Sequence, residues 1–366
     1  MPRMRGTVIL LAAAAVYGLY GHYVGVHAGD TDGTCDATGG STSCGMPSVL
    51  ERGLLQRTPS YDSILQEEKQ YGSDVLTKRF HGDTLGYVTP WNNHGYNTAK
   101  LFRSKFTYIA PVWYQIRHND KRKPALTGGH DVDLEWMTAV RGDDTSGPQI
   151  VPRFMFEMNS LSPQEAERII SLIRSEVKDQ RFDGITLEIP VLGVTVEFIT
   201  SLGQALQSDG CILILVLPTS QRNGQLTTST DLIAKVLPSV HRLSVNAYDY
   251  STTGPNSPLP WLKATLEALK PFQNNAKFLM GLAFYGYDTN EAIVASKYRE
   301  LLDAHHPAIE WDDSAHECYF RYPVKHIVYY PCLQSIQDRL DLYLSAQTGA
   351  AIWDIGQGLD YFFDLL

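Results

Sequence analysis

The sequence predicts a (β/α)8 barrel, and three observations carry that expectation. Eight short β-rich apolar runs recur along residues 81–366, each followed by an amphipathic or mixed segment. The runs are continuous rather than alternating, as parallel strands covered on both faces require. The segment is somewhat longer than the ~250 residues such a barrel takes, which leaves room for one small insertion.

The eight runs are residues 85–89, 106–112, 150–156, 184–189, 211–217, 243–248, 278–284 and 350–355. An open doubly wound sheet would want a Gly-rich phosphate turn after the first strand, and Gly86-Tyr87-Val88-Thr89-Pro90-Trp91 is not one. Between runs three and four, Ser162-Pro163-Gln164-Glu165 reads as a capping box with proline at the first helical position. Ala166, Ile169, Ile170, Ile173 and Val177 then mark one face of a helix over 162–178. Val196, Phe198, Ile199, Leu202 and Leu206 predict a second helix after Gly193, and further helices fit 259–269 and 333–344. The surplus falls between Asp288 and Pro331, where Trp311 and the runs 318–322 and 326–330 predict a small α+β insertion after strand seven. Ahead of the barrel, 29–48 is polar and of low complexity. Residues 49–80, with Leu54, Leu55, Ile64 and Leu65 among charges, predict a helical arm. The expected division is thus a leader over 1–28, tail and arm over 29–80, and a barrel over 81–366.

Composition narrows the function. The chain is 43% hydrophobic and 19% charged, which excludes a disordered protein. A net charge of −9 sets it against nucleic acid. The one basic run, Arg117-His118-Asn119-Asp120-Lys121-Arg122-Lys123, is interrupted by Asp120 and stopped by Pro124, so it reads as a solvated loop. Arg3 and Arg5 precede an apolar run over 8–19, and Val26-His27-Ala28 fits a signal-peptidase site. A cleaved secretory leader is expected, with an uncleaved signal anchor as the alternative; either puts the chain in the secretory pathway, secreted or lysosomal.

Five cysteines leave one unpaired in such a chain. Cys35 and Cys44 bracket a Gly/Ser/Thr segment and are expected to pair. Cys318 and Cys332 could pair, and Cys211 reads as a small buried hydrophobe. No Cys-x-x-Cys, His-Glu-x-x-His, Gly-x-Ser-x-Gly or phosphate loop occurs, and adjacent His305 and His306 are poorly disposed toward one ion. No metal and no cofactor are expected.

Barrel chemistry sits at the C-terminal strand ends. Those ends carry Tyr87 and Trp91, Trp113 and Tyr114, Glu157, Glu188, Tyr248 with Asp249 and Tyr250, Tyr285 and Tyr287, and Trp353 with Asp354. Aromatic rings among carboxylates predict a carbohydrate cleft, since sugar faces stack on rings while hydroxyls need polar partners. The expected ligand-binding set is Tyr87, Trp91, Trp113, Glu157, Glu188, Tyr248, Asp249, Tyr285 and Trp353. Trp353 would floor the site, and Tyr248 and Asp249 would hydrogen-bond the ligand.

Phe182-Asp183-Gly184-Ile185-Thr186-Leu187-Glu188-Ile189-Pro190 resembles the strand-four signature of glycoside hydrolase family 18, Asp-Gly-x-Asp-x-Asp-x-Glu. Asn246-Ala247-Tyr248-Asp249, Gly281-Leu282-Ala283-Phe284-Tyr285-Gly286 and Ile352-Trp353 are similar to its motifs on strands six, seven and eight. The resemblance implies a chitinase-like barrel that takes N-acetylated oligosaccharides, with a sorting or scavenger receptor as a protein partner. It also implies a degenerate catalytic motif. Asp183 is kept, Thr186 and Glu188 stand at the next two acidic positions, and the proton donor falls on Pro190. Thr186, Glu188 and Pro190 would share a face, with Glu188 roughly 6.6 Å short of the donor position. Its extra methylene adds only ~1.5 Å against a required contact of ~2.6–3.2 Å. The expectation is a chitinase-like lectin. The alternatives are a glycosidase whose acid has moved to Glu157 or Asp249, and an interaction protein with a vestigial cleft.

Overall fold

In the computed structural model the described residues are 45–143, 147–219, 226–272 and 275–366. The expected leader, the tail up to residue 44 and the Cys35–Cys44 pairing lie outside them.

Among the described residues the first helix is the short α1 (Tyr61–Glu67), and the chain then enters the barrel through β1 (Thr84–Val88) and α2 (Asn93–Leu101). Barrel strand two consists of two segments, β2 (Tyr108–Pro111) and β3 (Tyr114–His118), and β4 (Pro124–Thr127) folds back antiparallel on β3. After α3 (Leu134–Arg141), strand three is also split, into β5 (Gln149–Ile150) and β6 (Arg153–Phe156). Pro152 has no amide hydrogen and interrupts the ladder there. Regular alternation follows: α4 (Pro163–Gln180), β7 (Gly184–Glu188), α5 (Val196–Ser208), β8 (Ile212–Pro218), α6 (Thr230–Val236), β9 (Arg242–Asn246), α7 (Leu259–Leu269) and β10 (Phe278–Ala283). An excursion of β11 (Gly286–Asp288), β12 (Glu291–Ile293), α8 (Ala295–His305), β13 (Glu310–Asp312), β14 (Glu317–Tyr322) and β15 (His326–Tyr329) intervenes. Then α9 (Leu333–Ser345) and β16 (Gly349–Trp353) complete the barrel.

All eight barrel neighbours are parallel. β16 pairs with β1 and with β10, and β1 pairs with β2. The ring closes through β2 on β5 and β3 on β6. Bonds from Val151 N to Ile109 O (2.8 Å) and Thr186 N to Pro152 O (2.9 Å) carry it across the break. Leu85, Tyr87, Tyr108, Ala110, Val112, Val151, Ile214, Leu279 and Ala351 fill the lumen, with Trp353 packed against them. The larger apolar set, including Ile185, Leu187, Leu243 and Val245, faces the helices.

The helix over 162–178 forms as α4, with its capping box intact: Glu165 N donates to Ser162 Oγ (3.3 Å) and Ser162 N to Glu165 Oε2 (2.8 Å). The insertion after strand seven is a five-stranded antiparallel sheet in the order β12-β11-β15-β14-β13, and a disulfide joins Cys318 of β14 to Cys332 at the start of α9.

Three expectations change. The arm over 49–80 is helical only in α1, because Gly53, with φ +68°, Pro59 and Gly72 punctuate it. The rest straps onto the chain end, where the Asp364 carboxylate accepts from Val49 N (2.9 Å) and Gly72 N (2.8 Å). The basic run is a hairpin rather than a loop: Arg117 and His118 belong to β3, and Asn119 Oδ1 accepts from Lys121 N and Lys123 N (3.0 Å each) to shape its turn. Cys211 is not buried but half-exposed, on a groove of about 740 Å³ along the outside of α4. Among the described residues no helix is long and apolar enough to cross a membrane, and no group of three His, Cys, Asp or Glu could hold a metal.

Candidate functional site

The site lies at the C-terminal mouth of the barrel. Strand alternation sends Tyr87, Arg153, Glu188 and Trp353 inward from four different strands, and Tyr248 joins them from the segment just after β9. Tyr87 lies deepest: it is buried, donates to Ser244 Oγ (2.9 Å) and packs against Trp353 with ring centroids 5.1 Å apart. Trp353 is partly open above it. The Arg153 guanidinium lies over the same indole, 5.7 Å from its centroid, within cation–π range.

Arg153 also binds Glu188. Its Nε donates to Glu188 Oε2 at 2.6 Å, and Nη2 reaches the same oxygen. The strand register sets this up: Arg153 opposes Thr186, and Met155 opposes Glu188, so the arginine reaches diagonally toward the mouth. The Glu188 side chain is 33% exposed against 12% for Arg153, so the carboxylate opens outward while the guanidinium closes the floor.

The opposite wall is built from the strand-six and strand-seven ends. Tyr248 is half-buried and donates to Asn246 Oδ1 (3.1 Å). It can lie there because Gly281 has no side chain; a Cβ at that position would stand 2.9 Å from the Tyr248 ring and 2.5 Å from Ala247 N. Asp249 takes a left-handed backbone, φ +62°, which Asp tolerates better than most residues, and Asn256 Oδ1 accepts from its amide (2.8 Å). Its carboxylate Oδ1 accepts from the Tyr285 hydroxyl and from Tyr287 Oη (2.7 Å). Burial and then the neighbouring charge of Asp249 push the Tyr285 and Tyr287 hydroxyls well up, so both stay donors. Burial, with Tyr87, Asp249 and Glu188 nearby, does the same for Tyr248.

Beside the mouth, Asp354 is fully buried. It accepts from Thr89 Oγ1 (2.9 Å) and Gly356 N (2.8 Å), tying the turn after strand eight to the turn that carries Trp91. Desolvation pushes its carboxyl up to about 6 against the two hydrogen bonds.

The structure therefore brings Tyr87, Glu188, Tyr248, Asp249, Tyr285 and Trp353 together. Trp91 stands apart on the rim, 71% exposed. Glu157 lies on another part of the rim, ion-paired with Arg117. Trp113 does not belong to the cleft. It is wholly buried in the layer between sheet and helices, where its Nε1 donates to Tyr96 Oη (2.7 Å) and its ring meets Trp136 edge-on. Tyr114 also faces outward, stacked on Phe154. The break between β2 and β3 resets the alternation, so two consecutive aromatics point the same way.

In the degenerate motif, Asp183 lies at the far end of β7 from the mouth, accepting from Ile150 N (2.7 Å) and Arg141 Nη2 (2.8 Å). Thr186 is buried and donates to Val151 O (3.1 Å), and Pro190 lies beyond the strand end. Sequence reasoning missed Arg153, Asn246 and Met155. Arg153 did leave a signal: a lone charge inside an apolar run, at the same parity as Val151.

This arrangement defines a barrel protein whose polar and aromatic groups converge at the C-terminal strand ends. More particularly, the chain belongs to the glycosyl hydrolases family 18, whose model matches residues 83–358. Similar solved structures include a chitinase from Chromobacterium violaceum, 18% identical with a TM-score of 0.67, covering 78% of this chain and 98% of that one. The spore cortex-lytic enzyme SleL of Bacillus megaterium is 16% identical with a TM-score of 0.64 over 87% of this chain and 83% of its own. A Cycas revoluta chitinase in complex with (GlcNAc)3 is 12% identical with a TM-score of 0.65 over 77% of this chain and 98% of that one. At these identities the likeness speaks for the shared fold.

Proposed function

We propose that this protein is a chitinase-like lectin, which binds N-acetylated oligosaccharides at the barrel mouth without hydrolysing them. The observation that carries the reading is the state of the two positions the chemistry needs. Pro190 has no proton to donate, and Glu188, the motif's carboxylate at the mouth, is ion-paired with Arg153. The binding half rests on the partly open Trp353 and the ring of hydrogen-bonding groups around it. The (GlcNAc)3 complex of the Cycas chitinase supplies the ligand class by analogy.

The runner-up is a glycosidase with a relocated acid. Its candidates are already engaged: Glu157 pairs with Arg117, and Asp249 takes two tyrosine hydroxyls. General acid–base assistance is worth ~10²–10⁴-fold, so its loss leaves at most a trace of turnover. The test runs chitotetraose binding and reducing-end release on the same sample. Saturable binding without release is expected; turnover near ~1 s⁻¹, the low end for ordinary enzymes, would overturn the reading.

Tyr248-Asp249-Tyr250-Ser251-Thr252 and Trp353-Asp354-Ile355-Gly356-Gln357-Gly358 are similar to stretches of chitinase domain-containing protein 1, a chitinase-like protein. That likeness, with the basic-then-apolar leader pattern, supports a secreted or lysosomal location and a sorting or scavenger receptor as partner. Pulse-chase of tagged protein through the secretory pathway tests the location; retention in the cytosol would overturn it.

A further inference from the structure

We propose that Arg153 is the positioning residue of the mouth: it fixes Glu188 as a hydrogen-bond acceptor for ligand and withdraws that carboxylate from catalysis. The inference rests on the carbohydrate reading and adds a second, independent block on hydrolysis to the one at Pro190.

The geometry argues it in three steps. Both Arg153 donors converge on one oxygen, Glu188 Oε2, which leaves Oε1 outside the pair on a side chain 33% exposed. The guanidinium is itself held from two further sides, by the Trp353 ring at 5.7 Å and by Met155 Sδ at 3.5 Å from Nη2. A planar guanidinium can meet a ring face and a carboxylate at once, which a lysine ammonium cannot match. Drawing a charged pair out of water costs desolvation that mutual attraction often only offsets, so stability alone is a weak reason for such a pair in a barrel mouth. Orientation is a better one: an acceptor oxygen held beside an indole matches a sugar ring that stacks on the indole and donates an N–H or O–H at its edge.

A carboxylate held this way is poorly placed to orient a reacting acetamido group. Hydrolysis would break the glycosidic C–O bond, deliver a proton to the leaving oxygen and add the elements of water. With Pro190→Glu alone the proton has a source, but the second carboxylate stays bound to Arg153.

A double-mutant cycle on chitotetraose affinity tests the positioning role. Arg153→Met and Glu188→Gln are each expected to weaken binding about ten- to a hundredfold, the worth of a hydrogen bond to a charged group. The double variant should lose no more than either single one, because Arg153 acts through Glu188. Arg153→Lys, the milder change if Met disturbs folding, should lose nearly as much as Met, since it keeps charge but not the fork. Additive losses, full rescue by Lys, or affinity unchanged in Arg153→Met overturn the role. In the hydrolysis arm, release is expected from Pro190→Glu/Arg153→Ser and not from Pro190→Glu. Equal release from the two, or none from either, overturns the second block. Absence of wild-type binding overturns the carbohydrate reading itself and this proposal with it, whereas intact wild-type binding with an additive cycle overturns this proposal alone.

Discussion

The two ends of the lumen carry nearly the same device. At the floor, where the strands begin, Arg242 Nε and Nη2 both donate to Asp83 Oδ2, at 2.8 and 2.6 Å. At the mouth, Arg153 Nε and Nη2 both reach Glu188 Oε2. The surroundings differ. The floor pair takes a third partner, Tyr108 Oη on the same oxygen at 3.3 Å, and that hydroxyl meets His241 Nε2 at 2.9 Å. The mouth pair is bounded instead by an indole and a thioether, with its carboxylate about as exposed as that of the floor pair, 33% against 30%. One ion pair can therefore serve as structure or as a waiting recognition group, and the remaining neighbours decide which.

The comparison is open to experiment. Asp354 is the sharpest probe, because it sits beside the mouth yet is fully buried, as neither ion pair is. Its carboxyl ordinarily titrates near 3.8 and is pushed up to about 6 in the folded protein. The fold thus holds that proton more tightly than the unfolded chain does. This contribution is greatest below pH 4, falls as pH rises through about 6 and then levels, a change of up to ~3 kcal/mol. Asp354→Asn should flatten the pH dependence of thermal stability between pH 4 and 7; an unchanged slope would assign the dependence to another group. Breaking the floor pair comes next. Arg242→Met should cost about 2–3 kcal/mol of unfolding free energy, as for lost hydrogen bonds to a charged group, with chitotetraose affinity unchanged. Denaturant titration beside calorimetric binding checks it, and lost affinity at wild-type stability would erase the contrast between the ends. Trp353→Ala should do the reverse at the mouth, weakening ligand by ~1–3 kcal/mol, the range of aromatic stacking. Equal affinity in a folded variant would make the indole a plug. The smallest effect is expected from Tyr248→Phe, about 0.5–1.5 kcal/mol of affinity for one hydroxyl. A loss below calorimetric error would leave that hydroxyl to Asn246.

The legible part of the site was the part written in residue identity at strand ends. Trp353 closes an uninterrupted strand and Tyr248 and Tyr285 each follow one by two residues, so counting to the end of an apolar run located them. Trp113 failed by the same count, because its run ends in a break and resumes as β3. Arg153 lies three residues before its strand's end, within a run read only for its apolar character, and its partner comes from the next strand.

What the sequence determined by itself is local in origin. Residue identity at Pro190 removes the acid, the Ser162–Glu165 box starts a helix, and eight buried runs with a surplus before strand eight specify a barrel with its insertion. Each depends on neighbours a few positions away, where periodicity and capping act. What only the tertiary structure decided depends on register between strands: which aromatics face the lumen, that Arg153 reaches Glu188 rather than Asp249, and that residues 45–80 strap the chain end instead of forming one helix. Alternation predicts facing only while a strand runs unbroken, and pairing across strands is set by the shear of the closed ring.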